Sequence, residues 1–156
     1  MIAVQRVNSI REPAEEAPCR TREAQFREGP VEQRDRTTTV LIADDEPAVL
    51  KFLAVLLREH HFTVLTARDG AEALGAARNY AEEHGSPLDL LITDFEMPQL
   101  NGLELAAAMQ QLFPDIGAVV ISGKLNCEPA IRDAGLAFLK KPFSPSALLE
   151  TIESLL

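Results

Sequence analysis

Cysteine is scarce in this chain. Cys19 and Cys127 are the only two, they stand in unrelated contexts, and nothing around them has metal-ligand spacing. A disulfide framework and a zinc module are therefore excluded, and a reduced, cytosolic protein is expected. Long apolar runs are also missing, since none approaches the ~18 residues of a membrane span. The opening "MIAVQRVNSIREP" lacks the basic start and long apolar core of a secretory signal. The last shortage is positive charge. Residues 37–156 hold 8 Lys and Arg against 17 Asp and Glu, and so carry the whole net charge of −9. Such a body does not neutralise phosphate backbones. Neither nucleic acid nor a membrane is an expected partner, and the expected location is the cytoplasm.

What is present is a chain of about one domain, 46% apolar, with room for a substantial core. Residues 1–36 stand apart. Their seven Arg and seven Asp and Glu cancel, prolines and one glycine interrupt them, and they offer little apolar surface to offset ordering entropy. A disordered N-terminal extension over 1–36 and a folded domain over 37–156 are expected.

From Thr37 the pattern alternates. "TTTVLIADD" reads as a buried strand ending on two aspartates, and "EPAVLKFLAVLLREHH" as a helix with a wide apolar face, capped by Asp45 or Glu46 with Pro47 in its first turn. "FTVLTA", "LDLLITD", "IGAVVISG" and "LAFLKKP" supply four further strands. Between and after them lie helices in "DGAEALGAARNYAEEHG", "GLELAAAMQQLF" and "SPSALLETIESLL", the last capped by Ser144 with Pro145 at its first position. Strands alternating with helices predict an α/β protein. The leading architecture is a flavodoxin-like, doubly wound, five-stranded parallel sheet of order 2-1-3-4-5 with helices on both faces.

In such sheets the working crevice lies beyond the carboxyl ends of the strands, at the switch point between strands 1 and 3. Strand 1 ends in Asp44-Asp45, strand 3 in Asp94, strand 4 in Ser122 and strand 5 in Lys141. Taken singly, each has an ordinary structural role: helix cap, turn former, strand exit, surface lysine. Four complementary groups at the ends of four strands of one sheet are harder to explain that way. Three converging carboxylates repel and raise one another's pKa unless a cation joins them. A hard divalent ion, Mg²⁺, suits a shallow site of one or two carboxylates plus waters. A metal, a lysine, a hydroxyl and a nucleophilic carboxylate are the requirements for holding a transferring phosphoryl group.

The segments "LIADDEP", "LLITDFEMPQLNG", "VVISG" and "FLKKPF", in this order, resemble the receiver domain of two-component response regulators over about residues 38–156. That resemblance implies that Asp94 is the phosphoacceptor. It implies that Asp45, Asp94 and the backbone carbonyl of Glu96 bind Mg²⁺ directly, with Asp44 acting through water. It gives Ser122 and Lys141 the phosphoryl oxygens and Phe138 the aromatic switch position, although Phe138 also reads as ordinary core. Lys141-Pro142 resembles the family's cis peptide. By the same resemblance the phosphodonor is a histidine kinase or a phosphotransfer protein. The output is a changed helix 4–strand 5–helix 5 surface, with a downstream protein target or a phosphorylation-dependent homodimer as its reader.

Two features depart from the family pattern. Only 19 residues separate Ser122 from Lys141, and Pro129 falls among them, so helix 4 is expected to be short or to begin near that proline. Charges also flank the site: Glu96 two residues after Asp94, and Lys124 two after Ser122. A gate that limits water attack on the acyl phosphate is one reading, and simple solvation of both is the other. The chain as read ends with the fifth helix, which gives the expectation of a stand-alone receiver rather than an enzyme. A phosphorelay intermediate and a phosphorylation-independent binding module are the alternatives. A haloacid-dehalogenase-type phosphatase fits poorly, because its second aspartate is replaced by Glu96.

Overall fold

The computed structural model describes residues 37–156, and the expectation of disorder for residues 1–36 lies outside the described residues. Five strands, β1 (Thr39–Ala43), β2 (Thr63–Ala67), β3 (Leu90–Asp94), β4 (Gly117–Ser122) and β5 (Ala137–Lys140), alternate with five helices. These are α1 (Pro47–Glu59), α2 (Gly70–His84), α3 (Gly102–Leu112), α4 (Glu128–Asp133) and α5 (Pro145–Glu153). The strands form one parallel sheet of order β2-β1-β3-β4-β5, as the alternation predicts.

Successive side chains along a strand point to opposite faces, and that periodicity divides the core in two. Leu41, Leu91 and Val120 meet Ala73, Ala77, Leu105, Met109 and Ile131 on one face. Val40, Ile42, Leu90, Ile92, Val119 and Ile121 meet Leu50, Leu53, Leu57, Leu148 and Ile152 on the other. Every residue of β1 and β3 is buried, which accounts for their unbroken apolar runs. Each fully buried Leu or Ile contributes about 1.5–3 kcal/mol relative to exposure.

Local chemistry sets the helix ends. The Asp69 carboxylate accepts the Glu72 amide at 2.7 Å and starts α2, and Gly85 at φ 65° ends it in the left-handed region. Asn101 and Glu104 form a reciprocal capping box on α3. Ser144 Oγ accepts the Ala147 amide at 3.1 Å, with Pro145 in the first turn of α5. At α1 Glu46, one of the two expected cap residues, occupies the N-cap position but makes no side-chain capping bond, and its own amide donates to the carboxylate of Asp44. After β4 the chain makes a 3-10 turn, Leu125–Cys127, and α4 follows with only six residues and Pro129 in its first turn. The short helix 4 is therefore present. No helix among the described residues is long and apolar enough to cross a membrane.

Candidate functional site

The four strand ends lie along the carboxyl edge of the sheet, where Asp44, Asp45, Asp94 and Lys141 come together and Ser122 ends the adjacent strand. β1 and β3 are adjacent, with Ala43 in register with Thr93, so Asp44 and Asp94 leave neighbouring strands at nearly the same level. Asp45 follows in the turn before α1. One carboxylate oxygen from each of Asp44, Asp45 and Asp94 lies within 4.8 Å of the others. Asp44 and Asp94 are 2% and 7% exposed, while Asp45 faces solvent. The cluster is thus open on one side, as an ion that keeps part of its water requires.

Lys141 closes the opposite side. Its Nζ donates to Asp94 Oδ1 at 2.7 Å and stands 3.8 Å from Asp44 Oδ2. The Lys141 amide donates to the Ser122 carbonyl at 2.9 Å, continuing the β4–β5 ladder past Lys140 and fixing where the side chain starts. The Lys141-Pro142 peptide is cis, as the resemblance implies. Asp94 Oδ2 accepts the Glu96 amide at 3.0 Å. Ser122 is buried, and its Oγ accepts the Lys124 amide at 3.0 Å. Phe138, paired with Val120 across the sheet, is half-buried and packs against the core face that carries α2 to α4.

Three negative charges face one ammonium. Burial raises the Asp44 carboxyl above its ordinary value; the Glu46 amide lowers it, the charge of Asp94 raises it, Lys141 lowers it and Asp45 raises it, leaving a net rise. Burial pulls Lys141 down, but its hydrogen bond to Asp94 and the charges of Asp94, Asp44 and Glu46 outweigh this and hold it above the ordinary lysine value. The donor set is all oxygen, partly open and short of positive charge, and it fits a hard divalent cation.

Two supporting residues were not singled out from the sequence for these contacts. A Cβ at Gly102 would collide with the Asp94 carbonyl oxygen and stand 3.0 Å from the Phe95 Cα. The start of α3 can rest on the strand end only because residue 102 has no side chain, and its amide donates to the Phe95 carbonyl at 2.9 Å. Thr93, fully buried, donates its hydroxyl to the Asp94 carbonyl at 3.0 Å. The signal for Gly102 was visible as Asn-Gly, which by itself reads as a turn. Nothing in the sequence separates Thr93 from an ordinary strand threonine. At the mouth of the site, Lys124 Nζ forms an ion pair with the Glu96 carboxylate, so the two flanking charges touch.

A model described as "Response regulator receiver domain" matches residues 40–153. Transcriptional regulatory protein PdtaR of Mycobacterium tuberculosis (strain CDC 1551 / Oshkosh) is 39% identical over 118 residues, covering 73% of this chain and 54% of that protein. The chain spans about half or less of the length of the curated relatives it matches. A CheY-like receiver domain protein from Methanospirillum hungatei JF-1 superposes with a TM-score of 0.68 at 27% identity, covering 77% of this chain and 94% of that one. Response regulator protein TrrA of Thermotoga maritima, solved in complex with Mg²⁺-BeF, gives 0.65 at 26% identity, covering 77% and 100%. With the sheet order, the carboxylate cluster and the lysine already in place, these matches leave one assignment: the chain belongs to the response regulator receiver domain family.

Proposed function

We propose that this receiver takes a phosphoryl group onto Asp94 from a phosphohistidine, in a histidine kinase or a phosphotransfer protein, and signals through a changed α4–β5–α5 surface. The observation that carries the reading is the pairing of Asp94 with Lys141 at 2.7 Å inside a cluster with Asp44 and Asp45. In the step, a carboxylate oxygen of Asp94 attacks phosphorus in line, the P–N bond to the imidazole breaks, and an acyl phosphate forms. Lys141 holds the Asp94 carboxylate in place and stays charged to pair with the phosphoryl oxygens. Mg²⁺ bound by Asp45, Asp94 and the Glu96 carbonyl, with Asp44 through water, would neutralise charge developing on those oxygens, in keeping with the Mg²⁺-BeF complex of the TrrA relative.

The added charge arrives in a crevice already holding three carboxylates. Ser122, leaving its bond from the Lys124 amide, turns toward the phosphoryl group, and Phe138 moves into the space released. The Lys124–Glu96 ion pair spans the mouth and slows water attack on the acyl phosphate. The receiver acts in this way alone or as part of a longer chain. The test is to incubate the protein with acetyl phosphate and Mg²⁺ and weigh it intact. Wild type gains one phosphoryl group and Asp94→Asn gains none. An unmodified wild type, or a modified Asp94→Asn, overturns the reading.

A further inference from the structure

The loop that follows Asp94 is tied down at a place the phosphoryl chemistry does not touch. Residues 95–102 leave the end of β3 and return to it, closed at the base where the Gly102 amide donates to the Phe95 carbonyl. Glu96, Pro98 and Gln99 are exposed, so the loop has few anchors. Met97 is one, buried in the core face that carries α2 to α4. Leu100 is the other. A Cβ at Gly70 would stand 2.6 Å from Leu100 Cδ2, 2.9 Å from its Cβ and 3.1 Å from its Cγ. The leucine therefore lies along the bare backbone of residue 70, in space that a side chain there would fill.

The seat is fixed, and the loop resting on it is strained. Gly70 opens α2, whose start is held by the Asp69 cap and by the Arg68 amide, which donates to Glu72 at 2.8 Å. Just before that cap, the Ala67 carbonyl accepts the Asp44 amide at 3.1 Å. The seat thus belongs to the same backbone frame as a carboxylate of the site. On the loop side, the Leu100 amide donates to the Pro98 carbonyl at 2.7 Å across Gln99, whose φ of 72° lies in the left-handed region. Tight three-residue turns of that kind are strained for a residue with a side chain, and they persist where neighbouring contacts over-determine them. Leu100 on Gly70 is such a contact, one residue from the strained one.

We infer that the Leu100–Gly70 pair is a clamp that fixes the Glu96 carbonyl and thereby sets the preference of the carboxylate cluster for Mg²⁺ over Ca²⁺. This role rests on the proposed function, in which that carbonyl is a ligand. The two ions differ in tolerance. Mg²⁺ demands near-ideal octahedral geometry at about 2.0–2.1 Å, whereas Ca²⁺ takes about 6–8 oxygens at about 2.3–2.6 Å in flexible arrangements. A carbonyl held by a packed clamp suits the first, and one on a loose loop accommodates the second. Leu100 and Gly70 are positioning residues, acting through the loop between them and Glu96.

The test measures Mg²⁺ and Ca²⁺ binding to the full chain by titration calorimetry, for wild type, Gly70→Ala, Leu100→Ala and Gly70→Ala/Leu100→Ala. Wild type prefers Mg²⁺. Each single variant weakens Mg²⁺ by about tenfold or more and Ca²⁺ by less than about threefold. The double variant does no worse than the weaker-binding single one, because both changes release the same contact. Ala106→Gly, a buried α3 substitution away from the clamp, lowers Tm but keeps the wild-type ratio of the two affinities. In acetyl phosphate assays, the Mg²⁺ needed for half-maximal rate rises with the lost affinity, while the rate at saturating Mg²⁺ stays within about threefold of wild type. Clamp variants that keep the wild-type ratio, or lose both ions equally, overturn the inference alone. So do losses that multiply in the double variant, an Ala106→Gly ratio that shifts as far as theirs, or a wild type that prefers Ca²⁺. A wild type that binds neither ion overturns it together with the metal ligands of the proposed function.

Discussion

A methyl group at position 102 has nowhere to go, because the Asp94 carbonyl oxygen and the Phe95 backbone already occupy its space. Gly102→Ala is therefore expected to push α3 away from the end of β3. Overpacking of this sort costs about 1–3 kcal/mol, readable by urea denaturation. Phosphorylation by acetyl phosphate should slow by about 10- to 100-fold, since the backbone that aims the Asp94 carboxylate moves with it. An unchanged rate would show that the close approach is only packing. Asp44 gives a second residue-scale test. Its folded-state pKa is raised, chiefly by burial, so its charge costs stability at neutral pH, and the cost is relieved as pH falls through the raised value. Asp44→Asn keeps an oxygen for the Glu46 amide and removes the buried charge. Without metal its Tm should exceed that of wild type at pH 7, and the difference should shrink as the pH is lowered into the carboxylate range. In wild type the same protonation competes with Mg²⁺. Metal affinity, measured by calorimetry, should begin to fall at a higher pH than an ordinary carboxylate would give.

Between elements, the contact to test is the Lys124–Glu96 ion pair, which ties the segment after β3 to the segment after β4. The hydrogen bond from Lys124 to Glu96, with the charge of Glu96, raises the lysine above its ordinary value, so the lysine stays charged through the physiological range. Both side chains are more than half exposed, so solvent screens the pair and its contribution is small. Glu96→Ala and Lys124→Ala should therefore each shorten the acyl phosphate lifetime by no more than about fivefold, and the double variant should do no worse than either single one. If both single variants keep the wild-type lifetime, the pair is solvated decoration.

How far the sequence alone reached is also clearest among the elements. Asp69 and Ser144 mark their helix starts in the sequence because capping depends on residues within one turn, whereas the capping box of Asn101 and Glu104 is hidden behind an Asn-Gly that reads as a turn. Asp44, Asp94, Ser122 and Lys141 were legible because strand ends are marked by where apolar runs stop. Of the two cap candidates for α1, Glu46 holds the N-cap position but makes no capping hydrogen bond, and its own amide donates instead to Asp44, a contact set by the strand end. Gly102 was read as a turn glycine, since its packing against β3 is a tertiary contact with no local signature. Phe138 stayed ambiguous for the same reason.

For the molecule as a whole, the site is a concentration of negative charge that folding must tolerate. A cation that binds the folded state and ignores the unfolded one adds RT ln(1 + [L]/Kd), about 2.7 kcal/mol at a hundredfold excess over Kd. Thermal unfolding of wild type should accordingly move upward with Mg²⁺, while Asp44→Asn and Asp94→Asn should respond less. A wild-type Tm indifferent to millimolar Mg²⁺ would remove the metal from the account.

The ladder of β1, β3, β4 and β5 fixes the spacing of Asp44, Asp94, Ser122 and Lys141 by backbone pairing, whereas exposed side chains such as Phe52 and Val55 stand on the outside of a helix. Strand ends and helix exteriors are therefore set by different parts of the fold: substitutions on the outside of α1 leave the spacing along the carboxyl edge of the sheet untouched.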